Sequence, residues 1–404
     1  APMFTLEQKK QIRQHYQAAM DRITTTNIGC FQGHEKPLFL ISDEYPGIWL
    51  EHAYDSVFFA RLEPAYTEIA KNVLSLFMER QKENGQLPCY IIDRNKNTTM
   101  SECGYTQIQE CVSFFRLCFE YYTMSQDKEF LKTAFQKGEK WISWLQTYRM
   151  PRQTGLVESF CGFDDGHDHS PRKKGMTYDT TAKNRDAALL PEDDAVLPMI
   201  EPDVNAVYYG DLCALAQMAE KLGQEGAPYA RQAQQVKEAL FSICYDPEDC
   251  FFYDVDKNGA MRKLRSIAIT NVISEGVLEQ EQVDMIYENH LKNPKEFFTP
   301  YPFPSLSVSD PYFIQNRDGN SWGFYSQALT ILRCTRWMDA YHKEQDFDFI
   351  LEKWVDKWTF GNKIMFGQEL NPFTGEASAC SEWYSSCMLV YIYAVRRLGL
   401  TKTD

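Results

Sequence analysis

Positive charge is in short supply in this 404-residue chain: 42 lysines and arginines face 56 aspartates and glutamates, for a net charge of −14. A surface of that sign repels phosphate backbones and anionic lipids, so nucleic acid and membrane partners are not expected. Histidine is scarcer still, with seven. Long apolar runs are missing, since none reaches the roughly 18 residues of a spanning helix. The stretch APMFTLEQKK lacks the basic-then-apolar layout of a secretion signal. No CxxC pair occurs among the twelve cysteines, and many sit in apolar helical patterns: Cys111, Cys118, Cys213, Cys334, Cys387. They read as buried thiols of a reducing compartment, and a cytoplasmic location is expected. Ser/Gly-rich tethers and a solenoid repeat of about 34 residues are absent too, so 1–404 reads as a single domain.

What is present is a large core and a helical rhythm. The chain is 44% hydrophobic and 14% aromatic, ample for a globular fold. In Glu63–Arg80 the residues Tyr66, Ile69, Ala70, Val73, Leu74 and Phe77 recur at the spacing of one helix face, with Pro64 where a first turn accepts it. Similar stripes predict helices over about 5–24, 105–124, 127–148, 203–222, 227–244, 266–275, 279–291, 321–342, 345–358 and 381–398. Short connections join 105–124 to 127–148, 203–222 to 227–244, 266–275 to 279–291 and 321–342 to 345–358, as antiparallel hairpins require. One β-hairpin is predicted at Cys250–Lys263, around Asn258-Gly259. The long stretches between, about 25–52, 84–103, 149–201 and 292–320, carry Pro, Gly, Asp and aromatics and read as functional loops. The pattern predicts an all-α fold, a six-hairpin α/α toroid whose long loops gather at one end of a central cavity.

Four segments mix carboxylates with aromatics: 46–62, 158–172, 310–333 and 366–386. Carbohydrate sites use that mixture, because sugar rings stack on aromatic planes while hydroxyls bond to Asp, Asn, Gln and Arg. The second segment, Glu158-Ser-Phe-Cys-Gly-Phe-Asp-Asp-Gly-His-Asp-His-Ser-Pro-Arg172, admits three readings: a catalytic acid in a sugar pocket, a metal site built on His167, His169 and Asp164, or a solvated turn.

Several segments, in order, resemble the six-hairpin α-glycosidases, the group of glucosidase I, the bacterial mannosylglycerate and glucosylglycerate hydrolases and, more remotely, trehalase. The resemblance spans about 40–400. The group's "WDS" is matched by Tyr54-Asp55-Ser56, its "SQPP" by Thr106-Gln107-Ile108, and its "ESGWDNSPR" by Glu158-Ser159 with Gly166-His167-Asp168-His169-Ser170-Pro171-Arg172 after an insertion. Its "DLNAYLY" is matched by Asp203-Val204-Asn205-Ala206-Val207-Tyr208-Tyr209, its "YWRGPVW" by Asn320-Ser321-Trp322-Gly323-Phe324-Tyr325, and its "EYYDPxTGE" by Gln368-Glu369-Leu370-Asn371-Pro372-Phe373-Thr374-Gly375-Glu376.

The resemblance implies an inverting, exo-acting α-glycosidase for a small α-glucoside or α-mannoside, with no cofactor, no metal and a small carbohydrate as the only partner. Asp168 falls at the general acid. The group's base glutamate falls at Gln368, so a one-residue slip would give the role to Glu369, with Glu376 and Glu382 in reserve. An acid and base that invert stand about 6.5–9.5 Å apart. Asp55 and Gln107 are expected on sugar hydroxyls, Arg172 as an orienting fork, and Trp49, Tyr54, Trp322 and Tyr325 as binding or stacking groups; His52 is as readily a structural donor. Two alternatives remain: a sugar-binding relative without catalysis, and a sugar epimerase or lyase on the same toroid, which needs His or Tyr as acid and base.

Overall fold

The computed structural model describes residues 3–313 and 318–402. Among them are twelve α-helices: α1 (Leu6–Thr24), α2 (Ala53–Leu62), α3 (Thr67–Glu79), α4 (Phe114–Ser125), α5 (Lys128–Tyr148), α6 (Pro202–Lys221), α7 (Ala227–Ile243), α8 (Ile269–Ser274), α9 (Gln280–Ile286), α10 (Ala328–Arg333), α11 (Glu344–Asp356) and α12 (Ser385–Arg397).

The even-numbered helices form the inner ring of an α/α toroid. In sequence α2 packs on α4, α4 on α6, α6 on α8, α8 on the 3₁₀ turn Cys334–Arg336 that extends α10, α10 on α12, and α12 on α2. The odd-numbered helices lie outside, and α1 closes the ring by packing on α12. The sequence shows the division. Outer helices bury one stripe: α7 buries only Ala233, Val236 and Leu240. The inner helix α2 is enclosed on all sides, burying every residue from Ala53 to Ala60. Such a segment has no polar face and hence no 3.6-residue contrast, which is why the helical rhythm missed α2 inside 46–62.

Inner-to-outer connections are short (63–66, 126–127, 222–226, 275–279, 334–343), while outer-to-inner connections are long (25–52, 80–113, 149–201, 244–268, 287–327, 357–384). All the long loops therefore meet at one end, over the N-termini of the inner helices. Small antiparallel ladders tie them together: Gly47–Trp49 with Tyr90–Ile92, Glu158–Ser159 with Met199–Ile200, and Ser326–Gln327 with Glu369–Leu370. The predicted hairpin is present, Asp254–Val255 pairing with Met261–Arg262 around Gly259 at φ +82°.

Several helix starts move. The segment 105–113 is loop until Ser113 caps α4 by accepting from Arg116 N, and 321–327 is a turn and strand ahead of α10. Both hold apolar residues at helix-like intervals, and Ile108, Val112 and Trp322 join the main core without forming a helix. No helix among the described residues is long and apolar enough to cross a membrane. All twelve cysteines are free.

Candidate active site

Over the inner helices the loops enclose a cavity of ≈ 180 Å³. Its wall is aromatic and polar: Tyr45, Trp49, Phe163, Trp322 and Tyr384 with Glu51, His52, Gln107, Gln109, Asp168, Asn320 and Gln368. A larger open depression of ≈ 340 Å³ lies elsewhere, between α3 and α5; its one aromatic, Phe130, among Lys, Glu, Asp, Thr, Ser and Met78 does not make the convergent aromatics of a sugar site.

The acid loop is built from its carboxylates outward. Asp164 never reaches the cavity. Its oxygens accept from Arg149 Nη1 (2.7 Å), Ile108 N (3.0 Å) and Phe160 N (2.7 Å); burial opposes its charge, and Arg149, Lys173 and the Phe160 N–H together hold its pKa down. Gly166 follows at φ +73°, where a Cβ would stand 2.5 Å from Cys111 Sγ, so only glycine fits. The chain then places Asp168 on the cavity wall. Burial raises its pKa from 3.8 to about 7, with Glu51 and Asp165 adding to the rise and Asn320 opposing it by donating from Nδ2 at 3.2 Å. Asp168 thus keeps its proton near neutrality, as a donor to a departing oxygen must.

Asn320, for which no local pattern suggests a role, is the junction of the site. Besides Asp168, it accepts on Oδ1 from Gln368 Nε2 (2.9 Å) and on its carbonyl from the His169 ring (2.8 Å), and its own N–H donates to Glu369 Oε2 (2.7 Å). Its φ of +55° is a conformation that Asn tolerates better than most residues.

Glu369 lies behind the wall. It is fully buried, and its oxygens accept from Asn320 N, Ser321 N (3.0 Å), Gln327 Nε2 (3.1 Å) and Ser378 Oγ (3.1 Å). Burial raises its pKa while those donors oppose the rise. Gln368 is the neighbour that faces the cavity, and its Oε1 accepts from Tyr45 OH at 2.9 Å. Side chains alternate along a strand, so moving one residue exchanges wall for interior. Glu376 and Glu382 are exposed and away from the cavity.

The first segment shifts by one helical turn. Asp55 is fully buried, accepting on Oδ2 from Ser385 Oγ (2.6 Å) and Ser386 Oγ (2.7 Å) and so tying α2 to α12. Tyr54 stacks with Phe58 under the Arg336 guanidinium. The residues three earlier, Glu51 and His52, line the cavity instead. His52 Nε2 meets Tyr384 OH at 2.7 Å, and burial lowers its pKa, keeping the ring neutral. A tight bend into a helix exposes the residues before its first turn, and the sequence carries no mark of where that bend falls.

Trp49, Gln107 and Trp322 are on the wall as expected; Tyr325 packs edge-on to Phe324 outside it. Arg172 is buried below, bonded to Asp203 (2.6 and 2.9 Å) and Asp254 (2.8 and 3.0 Å) and paired with Glu201 (2.8 Å). Its fork is saturated by carboxylates and does not face the cavity. His167 stacks on Trp322 with centroids 4.4 Å apart, accepts from Arg172 on Nδ1 (3.1 Å), and is pushed down to about 4 by burial and the Arg172 charge. The metal reading of this loop fails on geometry. His167, His169 and Asp164 are each committed to different partners. The acidic group that does converge, Asp165, Glu201 and Asp203, already holds Arg172 and Lys173 in its midst.

With the geometry in view, comparison with known proteins decides the family. Residues 45–386, from ahead of α2 to the start of α12, match the model of the mannosylglycerate hydrolase MGH1-like glycoside hydrolase domain. The chain belongs to that family. As a member it is a glycoside hydrolase. A GH63 mannosylglycerate hydrolase from Thermus thermophilus, solved with Tris, superposes with a TM-score of 0.73 at 15% identity, covering 95% of this chain and 99% of that one. Neutral trehalase from Saccharomyces cerevisiae gives 0.66 at 13% identity, covering 93% and 78%. Both likenesses bear on the fold. An uncharacterized protein of Borreliella burgdorferi is 30% identical over 145 residues, 35% of this chain and 29% of its own length, so the match spans less than a third of that relative.

Proposed function

We propose that this glycoside hydrolase removes one terminal sugar from a small neutral or glycerate-linked α-glucoside or α-mannoside, by inversion, with Asp168 as general acid. The observation that carries the reading is Asp168: a carboxyl that keeps its proton to about pH 7 on the wall of an aromatic cavity about the size of one hexose ring. Trp49 and Trp322 supply ring faces, and Gln107, Gln109 and Asn320 supply hydroxyl partners. The closed outline favours exo attack. Free, mostly buried cysteines favour a reducing compartment.

Gln368, an amide at the position where the resemblance puts the base, favours a second reading, sugar binding without turnover. One panel tests both: α-linked glucosyl and mannosyl disaccharides and glycosyl-glycerates, with binding measured by calorimetry and turnover by NMR of the product anomer. Turnover that yields the β-anomer supports the first reading. Binding without turnover across the panel replaces it with the second.

A further inference from the structure

An inverting hydrolysis needs a group that takes a proton from water, and neither Gln368 nor the sealed Glu369 supplies one. We propose that Glu51, held by Arg333, is the carboxylate that activates the attacking water. This rests on the α-glycosidase reading above. Among the described residues, Glu51 and Asp168 are the two carboxylates on the cavity wall. Arg333 Nη2 donates to Glu51 Oε2 at 2.9 Å, whereas Oε1 takes no hydrogen bond from a described residue and remains for a ligand. The side chain keeps 10% of its surface accessible, where Glu369 keeps none.

Position and environment agree. Glu51 Oε2 lies 3.4 Å from where a Cβ on Gly166 would stand, two residues before the acid, so Glu51 reaches the acid loop. Its backbone is fixed by its own N–H, which donates to Gln109 Oε1 at 3.3 Å. Among the described residues Asp168 makes no ion pair, and burial raises its pKa, while the Arg333 guanidinium is bonded to Glu51. The unpaired carboxyl suits a proton donor and the guanidinium-paired one an acceptor. The other wall groups do not compete: His52 Nε2 is engaged by Tyr384 OH and its Nδ1 is buried without access to the cavity, and burial raises the Tyr45 and Tyr384 phenols above 10.

In the step, the water oxygen bonds to the anomeric carbon as the glycosidic C–O bond breaks. Glu51 takes a proton from that water, and Asp168 gives its proton to the departing oxygen. Both carboxyls then return to their starting states by exchange with solvent.

The test compares wild type, Glu51→Gln, Glu51→Asp and Asp168→Asn on α-glucosyl and α-mannosyl fluoride, with and without sodium azide. Fluoride departs without a proton, so Asp168→Asn should keep fluoride turnover, whereas Glu51→Gln should lose on the order of 10²-fold or more in kcat. Azide should restore Glu51→Gln, giving the β-glycosyl azide, and should not accelerate wild type. Glu51→Asp keeps the pair with Arg333 but shortens the reach, and should lower kcat with KM little changed. The proposal is overturned if folded Glu51→Gln keeps most of its turnover, or if wild type is itself accelerated by azide. If Glu51→Gln does not fold, Glu51→Asp decides, and an unchanged kcat overturns it. Loss of fluoride turnover in Asp168→Asn counts against the acid assignment and leaves Glu51 standing; a wild type inert to every donor removes both.

Discussion

At the scale of single residues, burial and hydrogen-bond supply separate chemistry from scaffolding. Asp168 and Glu369 are both acidic, both raised by burial and both bonded to Asn320. Asp168 faces the cavity with one donor, and Glu369 faces four donors with no surface left. Asp168→Asn should therefore cost about 10²–10⁴-fold in turnover of glycosides with poor leaving groups while sugar affinity, read by calorimetry, stays near wild type. As the proposed acid, Asp168 would act in its protonated form, and burial raises its pKa to about 7, so kcat/KM should fall as pH rises through about 7, and that limb should vanish on fluoride donors. Glu369→Gln should show a different loss. Its amide nitrogen must face one of four donors, so thermal unfolding should report a cost of about 1–3 kcal/mol, while Glu376→Gln, on an exposed side chain, should stay within about 0.5 kcal/mol of wild type.

Among the elements, the loop that carries Asp168 depends on supports that do not line the cavity. Arg172 and Lys173 sit among Asp165, Glu201, Asp203 and Asp254, all buried. Removing one partner of such a cluster strands the charges that remain. Arg172→Met should lower the urea midpoint by the equivalent of about 3–5 kcal/mol. The helix forecasts hold for outer helices and for the inner α6 and α12, and miss α2, whose residues from Ala53 to Ala60 are all buried. Outer helices such as α3 and α5 were legible; α2 was not, and 105–113 was read as helix because Ile108, Cys111 and Val112 sit at helical intervals inside a loop.

For the whole molecule, the ring makes distant segments interdependent, since α1 packs on α12 and α12 on α2. We propose that the toroid unfolds as one unit. Far-ultraviolet circular dichroism and tryptophan fluorescence should give coincident urea transitions, and separated midpoints would count against a single domain. The pH dependence of stability follows from carboxyls that fold into protonated form. Burial raises Asp168 and Asp211 to about 7, so between about 4 and 7 the folded chain holds protons that the unfolded chain has released. The contribution of these two carboxyls to stability should therefore fall as pH rises through that window, opposed by His52 and His167, which folding holds neutral. Asp211→Asn, remote from the cavity wall, should flatten part of the slope in urea titrations followed across that range.

Local sequence settles the alternation of helices, the pairing of α4 with α5 and of α6 with α7, the aromatic and acidic loops, and the segment that carries Asp168. Those follow from local composition, period and motif order, which persist in an unfolded chain. Only the tertiary structure decided which side of each loop faces the cavity. Gln368 rather than Glu369, and Glu51 and His52 rather than Asp55 and Tyr54, line the wall because strand alternation and helix phase turn neighbours to opposite sides. Arg172 looked like a substrate fork until folding brought Asp203 and Asp254 against it from distant segments. A side chain's direction and its competing partners are set by contacts between residues far apart in the chain, and no local pattern records them.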